Sequence, residues 1–297
     1  MRHSPENRAA VIGAGGFIGS ALSRRLRKAG LEVAAYTRSV PFWTSDRGLD
    51  EGLASVRSVF WLASSIRPST AAELPAAVEA DRLALAGLID KLGTVNGEAR
   101  LITVSSGGTV YDTSQPPPYG EDSPVRPVNE YGRAMLEIEG AVRTWDHSSV
   151  LRVSNAYGPG QPARYGQGVV AHWLAAVISG RPVHLVGDDQ VARDYVFIED
   201  VVDALVAAST ADHPPQVVNV GSGRPTALAE LLAMISSVVA PREILVTREP
   251  ARAFDSPSTW LDVSLARRQL GWEPRTGLPD GLAATWRWMM AERGLAG

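Results

Sequence analysis

The chain has 297 residues, is 45% hydrophobic and carries 29 basic against 32 acidic side chains, a formal net charge of −3. That is enough apolar material for one large domain or two closely joined lobes, and the charge balance gives no basic footprint for nucleic acid. The absence of cysteine excludes disulfides, thiolate metal sites and a cysteine nucleophile, and the apolar stretches are too short and interrupted to span a bilayer.

Residues 8–12 are the first apolar run, read as a buried strand. It leads into Val11-Ile12-Gly13-Ala14-Gly15-Gly16-Phe17-Ile18-Gly19, with glycines where a strand would turn sharply into a helix. Glycine lets the main chain approach a pyrophosphate, and a helix starting near Gly16 aims its free amides and positive dipole end at that phosphate. Phe17, Ile18, Ala21, Leu22 and Leu26 recur at helical spacing over 17–29, and Gly30 is a stop. Gly13, Gly16, Phe17, Ile18 and Gly19 are therefore candidate cofactor-binding residues.

Further apolar runs at 31–36, 56–63, 99–104 and 149–153 alternate with helical patterns at 71–92 and 130–145. The alternation predicts an α/β fold, a Rossmann-type doubly wound parallel sheet flanked by helices. Pro116-Pro117-Pro118 reads as a stiff surface loop before the helix carrying Tyr131. Gly158-Pro159-Gly160-Gln161-Pro162 breaks the rhythm, and helices follow at 168–179, 199–209, 226–239 and 278–291. The expected division is a dinucleotide-binding domain over 1–155 and a smaller α+β lobe over 156–297, with 216–220 able to return to the main sheet. The five histidines have no paired spacing with carboxylates, so no metal site is expected. The opening Met1-Arg2-His3-Ser4-Pro5 lacks the apolar core of a secretory leader, which makes a cytoplasmic location the expectation.

Five ordered segments carry a family resemblance over essentially the full length. They are the glycine turn; Leu101 to Tyr111 followed by Tyr131-Gly132-Arg133-Ala134-Met135; Leu151 to Gln161; Arg193 to Val201; and Arg252 to Asp255 with Leu270-Gly271-Trp272. The chain resembles the extended short-chain dehydrogenase/reductases, and within them the UDP-glucose 4-epimerase-like members of the NAD-dependent epimerase/dehydratase family. The resemblance implies that Tyr131 is the proton-transfer residue and that Ser106 or Thr109 supplies a hydroxyl to the sugar's reacting oxygen, since Gly107 stands where relatives often have serine or threonine. It implies Asn155, Arg193 and Arg252 around a nucleotide diphosphate and Asp255 near its ribose; guanidinium groups pair with phosphate oxygens while staying charged. Arg193 has the alternative of an internal ion pair within Arg-Asp-Tyr.

Two positions depart from the pattern. Relatives usually have lysine four residues after the tyrosine, where it holds the nicotinamide ribose and lowers the tyrosine pKa; Met135 stands there. The second strand ends in Thr37-Arg38-Ser39 instead of an acid for the adenosine ribose, so Arg38 and Ser39 are candidates for a 2′-phosphate and NADP is slightly favoured over NAD. A tyrosine half-ionised at neutral pH needs a shift of roughly 3 units, about 4 kcal/mol, and one unit charge at 4 Å supplies about that at an effective dielectric near 20. The leading expectation is a nucleotide-sugar 4-epimerase working by transient oxidation of the C4 hydroxyl, with a nucleotide-diphosphate sugar as small-molecule partner and a homodimer built on the tyrosine-bearing helix. The alternative is an NAD(P)H-dependent 4-keto-sugar reductase, and a second is a non-catalytic cofactor-sensing module.

Overall fold

The computed structural model describes residues 7–44, 48–67, 70–163, 168–250 and 258–295. In chain order the elements are β1 (Arg8–Ile12), α1 (Phe17–Lys28), β2 (Glu32–Tyr36), the short β3 (Trp43–Thr44) and β4 (Gly48–Leu49), β5 (Ser58–Trp61), α2 (Pro75–Val95), β6 (Arg100–Ser106), α3 (Glu130–Val142) and β7 (Ser148–Val153). They continue with β8 (Asn155–Tyr157), α4 (Val169–Ile178), β9 (Val183–Val186), β10 (Ala192–Arg193), β11 (Tyr195–Phe197), α5 (Ile198–Thr210), β12 (Val217–Val220), β13 (Thr226–Ala227), α6 (Leu228–Val239), β14 (Val246–Glu249), α7 (Ser264–Leu270) and α8 (Leu278–Glu292).

Six strands form one sheet in the order β12-β7-β6-β5-β1-β2, every pairing parallel. Both faces are covered, which is why its strands read as near-continuous apolar runs. Along β1 the side chains alternate: Ala9 and Val11 join a cluster with Leu22, Leu26, Val201 and Leu205 of α1 and α5, whereas Ala10 and Ile12 join Leu85, Leu88, Leu92, Ile138 and Val142 of α2 and α3. The strand order reverses at β1, and ligands of such sheets bind beyond the carboxyl ends of the strands at that point, here β1 and β5.

The second half of the chain supplies three two-stranded pairings: β8 with β11, β9 with β14, and β10 with β13. The chain does not divide at one point, because β12 completes the main sheet against β7 and α5 packs on α1. Thr226 and Ala227, placed by periodicity in a helix, instead pair antiparallel with Arg193 and Ala192, so that α6 begins at Leu228. No helix among the described residues is long and apolar enough to cross a membrane.

Candidate active site

The glycine turn lies at the reversal point of the sheet. A Cβ on Gly13, whose φ is +93°, would stand 2.6 Å from the backbone of Leu62 and Ala63; only glycine allows the turn to rest on the chain leaving β5. The Gly13 and Ala14 amides both donate to the Tyr36 carbonyl at 3.0 Å, and a Cβ on Gly19 would overlap the Gly13 carbonyl. Strand, turn and helix are thus locked together. The N-cap of α1 is Gly16, without a capping side chain and with no acid in the first turn, and Gly15 and Gly16 are exposed. The first helical amides have no intrahelical acceptor, so the turn presents oriented donors and a positive dipole end to an anion. Phe17 and Ile18 pack their side chains on the core behind it.

After β2 the chain makes a tight turn, with Thr37 and Val40 exchanging backbone hydrogen bonds of 2.9 and 3.2 Å and the Thr37 and Ser39 hydroxyls 3.0 Å apart. Thr37 Cγ2 lies 3.6 Å from where a Gly15 Cβ would be, which puts this turn beside the phosphate-type turn. Arg38 and Ser39 are exposed there. A bare helix end and polar side chains at the tip of β2 fit the two ends of a dinucleotide's adenosine diphosphate portion.

Tyr131 sits in the first turn of α3, whose N-cap Asn129 accepts the Gly132 amide at 2.8 Å. A Cβ on Gly132 would overlap the Thr109 carbonyl, so glycine brings this turn, and Tyr131 with it, onto the loop that follows β6. Thr109 Oγ1 is buried with no hydrogen-bond partner, as is Ser105 Oγ; Ser106 is half-buried. Gly107 has its own constraint: a Cβ there would lie 2.6 Å from Leu261 Cδ1 and 3.1 Å from the Arg152 carbonyl. Leu261, from the distant end of the chain, fills the volume a side chain at 107 would need.

Tyr131 packs against a cluster containing Ile66, Val110, Tyr111, Met135 and Leu261. Burial pushes its phenol up to about 12, with no charged group among the described residues acting on it. Met135 is 6% exposed in the same cluster and has no charge to offer.

Asn155 on β8 and Arg193 at the end of β10 are brought together by Asp194, the residue between β10 and β11. Both the backbone and side-chain amides of Asn155 donate to the Asp194 carbonyl, at 3.0 and 2.9 Å, and Arg193 Nη1 donates to the Ala192 carbonyl. The Asp194 carboxylate, 1% exposed, accepts from the Ser222 amide and hydroxyl, the Gly223 amide, the Leu261 amide and the Ser154 hydroxyl. Burial raises its pKa, against the pull of those donors. Arg252 and Asp255 lie outside the described residues. His184 pairs with Glu249 at 2.6 Å and Thr247 at 3.1 Å, and the described residues hold no group of three metal-ligating side chains. Sequence reasoning missed the parts played by Asp194 and Leu261. Asp194 had a weak signal, a carboxylate between two short apolar runs; Leu261 had none.

An open parallel sheet, a bare helix end at its reversal point and a tyrosine-bearing helix seated on a hydroxyl-bearing loop define an enzyme of the extended short-chain dehydrogenase/reductase class. Residues 9–221 match the NAD dependent epimerase/dehydratase family, and the chain belongs to that family. It is 32% identical to a UDP-glucose 4-epimerase of Mycolicibacterium smegmatis, over 94% of this chain and 97% of that one. It is also 32% identical to a dTDP-6-deoxy-L-talose 4-dehydrogenase (NAD(P)(+)) of Kitasatospora kifunensis, over 96% of each. Among solved structures, MoeE5 in complex with UDP-glucose and NAD superposes with a TM-score of 0.84 at 28% identity, covering 96% of this chain and 99% of that one.

Proposed function

We propose that the chain is a nucleotide-sugar 4-epimerase that oxidises the C4 hydroxyl transiently and restores it with the opposite configuration, Tyr131 serving as acid and base. The observation that carries this reading is the seating of the Tyr131 helix by Gly132 on the Thr109 loop, in a chain alike from end to end to a UDP-glucose 4-epimerase. When bound, NAD supplies the hydride acceptor and donor for C4. Gly13, Gly16, Phe17, Ile18 and Gly19 would form the cradle for its pyrophosphate, the glycines allowing close approach and the first helical amides, from Phe17 on, donating to it. The exposed Arg38 and Ser39 suit a 2′-phosphate, so NADP is accepted as well.

Tyr131 takes the proton from the C4 hydroxyl and returns it to the same oxygen after the 4-keto sugar has turned its other face to the hydride donor. The Thr109 hydroxyl, buried and unpartnered, is the group that bonds the same oxygen, in preference to Ser106. Because burial holds the phenol near 12, its ionisation depends on positive charge brought by the oxidised cofactor; one unit charge at 4 Å is worth about 4 kcal/mol at an effective dielectric near 20. Met135 closes the apolar side of the cofactor pocket. Asn155, Arg193, Arg252 and Asp255 hold the nucleotide diphosphate and its ribose. The enzyme is cytoplasmic and pairs with a second copy through α2 and α3.

The deciding experiment incubates the purified chain with NAD and a panel of nucleotide sugars, following products by NMR and the reduced cofactor by absorbance. Interconversion of C4 epimers without net change in cofactor is the expected result. Stoichiometric consumption of reduced cofactor by a 4-keto sugar would instead make it a reductase, and binding without deuterium exchange at C4 would make it a sensing module.

A further inference from the structure

Glu139 lies about two turns beyond Tyr131 on α3, and Arg152 lies on β7. Their side chains are 3% and 5% exposed and joined in a two-pronged pair, Nη2 to Oε2 at 2.7 Å and Nε to Oε1 at 3.0 Å. Arg152 pairs in register with Ser105 at the end of β6. One residue further along, the Gly107 amide donates to the Val153 carbonyl at 2.8 Å. The Arg152 guanidinium also lies over the Tyr111 ring, 5.0 Å from its centroid, and the Tyr111 hydroxyl donates to Asn219 at 2.6 Å. The side-chain amide of Asn219 then donates to the Tyr119 and Asp262 carbonyls. One guanidinium thus touches both elements that form the site: the helix bearing Tyr131, through Glu139, and the loop bearing Thr109, through Tyr111.

The site end of α3 is otherwise held by the Asn129 cap on the Gly132 amide and by the close approach of Gly132 to the Thr109 carbonyl. Tyr131 and Met135 meet the rest of the protein through apolar contacts, which are non-directional and permit small slides. A planar guanidinium forked onto a carboxylate fixes distance and angle together. We infer that Arg152 and Glu139 are positioning residues that set the separation between the Tyr131 phenol and the Thr109 hydroxyl. The pair acts through geometry and touches no substrate; it rests on the proposed reading of Tyr131 and Thr109 as the groups at the reacting oxygen.

A buried pair cannot be tested by removing one partner alone, since the stranded charge would unfold the chain. The informative protein is the double variant Glu139→Leu/Arg152→Met, which replaces the pair by apolar side chains of similar volume and is expected to fold with a melting temperature close to the parent's. Two measurements are made on it. With UDP-glucose or the best substrate found, kcat falls about tenfold or more while KM changes less than about threefold, the signature of misplaced reacting groups with binding intact. Amide hydrogen exchange rises together in 105–111 and 130–135 and stays level in the glycine turn and α1. A folded double variant with unchanged kcat and unchanged exchange overturns the inference. Should the parent itself turn over no sugar, the functional reading falls separately, and the exchange measurement alone decides whether the pair orders the two segments. Should the double variant not fold, the single Arg152→Lys, which keeps the charge and loses the fork, takes its place with the same two outcomes.

Discussion

At the scale of single residues, the proposed chemistry turns on one phenol and the side chain a turn beyond it. Tyr131 is raised by burial to about 12, and Met135 adds no charge to bring it down. A group whose folded pKa exceeds its unfolded value binds its proton more tightly in the native state. Tyr131 therefore contributes stability that is complete below about pH 10, the ordinary tyrosine value, and is lost as pH rises through about 12. In an alkaline absorbance titration, the difference between parent and Tyr131→Phe is expected near 12 and not near 10. Met135→Lys is expected to move that difference to lower pH and to lower the onset of sugar oxidation. It also costs on the order of 1–3 kcal/mol, because an ammonium enters a cluster with Ile66, Val110 and Leu261. An unmoved titration in the lysine variant would remove the account of why this tyrosine stays protonated.

At the scale of elements, the site is a meeting of three segments: the start of α3, the loop after β6, and the stretch through Leu261. Gly132 lets the first two touch, and Leu261 occupies the space above Gly107. Any side chain at 107 must compete with a leucine that is 1% exposed. Gly107→Ser is expected to destabilise by about 1–3 kcal/mol through overpacking, and Leu261→Ala by about 2–5 kcal/mol through the cavity it leaves. Combined, the two changes should cost less than their sum, with a coupling of about 0.5–3 kcal/mol, because the serine then occupies vacated space. Urea unfolding of the four proteins gives the cycle directly, and strict additivity would mean that Leu261 does not govern position 107. The double variant also shows whether a hydroxyl at 107 takes over the part in catalysis proposed for Thr109.

At the scale of the whole molecule, the two halves are held by shared elements. The Asp194 carboxylate collects donors from Ser154, Ser222, Gly223 and Leu261, so the segment that fills Gly107 and the strands bearing Asn155 and Arg193 are fastened at one point. On the outer side, α2 leaves Leu83 56% exposed among exposed Ala76, Ala80, Ala84 and Gly87, a flat helix face on which a second copy can pack closely. Light scattering is expected to give twice the chain mass, and Leu83→Glu to give the single-chain mass with α2 intact by circular dichroism. A parent that runs as a monomer at micromolar concentration would dispose of the dimer.

The glycine turn, the alternating strands and helices and the tyrosine motif were legible in the chain, because each is a local requirement: a phosphate cradle needs a backbone free of Cβ atoms, a doubly covered strand needs an apolar run, and a helix repeats every 3.6 residues. The short strands of the second half were largely missed, since two- to four-residue pairings have no period to read, and Thr226 and Ala227 were drawn into a helix by the apolar run that follows them. Leu261 over Gly107, Glu139 forked onto Arg152, and the donors converging on Asp194 were invisible for one reason. Each is a contact between side chains ordinary in their own surroundings, and only the folding of distant segments against one another gives them a partner. The sequence by itself determined the fold class and the family pattern of the candidate site; the tertiary structure decided which loop lies against the tyrosine helix, what fills the space at 107, and what holds the helix in place, because those depend on distances that no local pattern encodes.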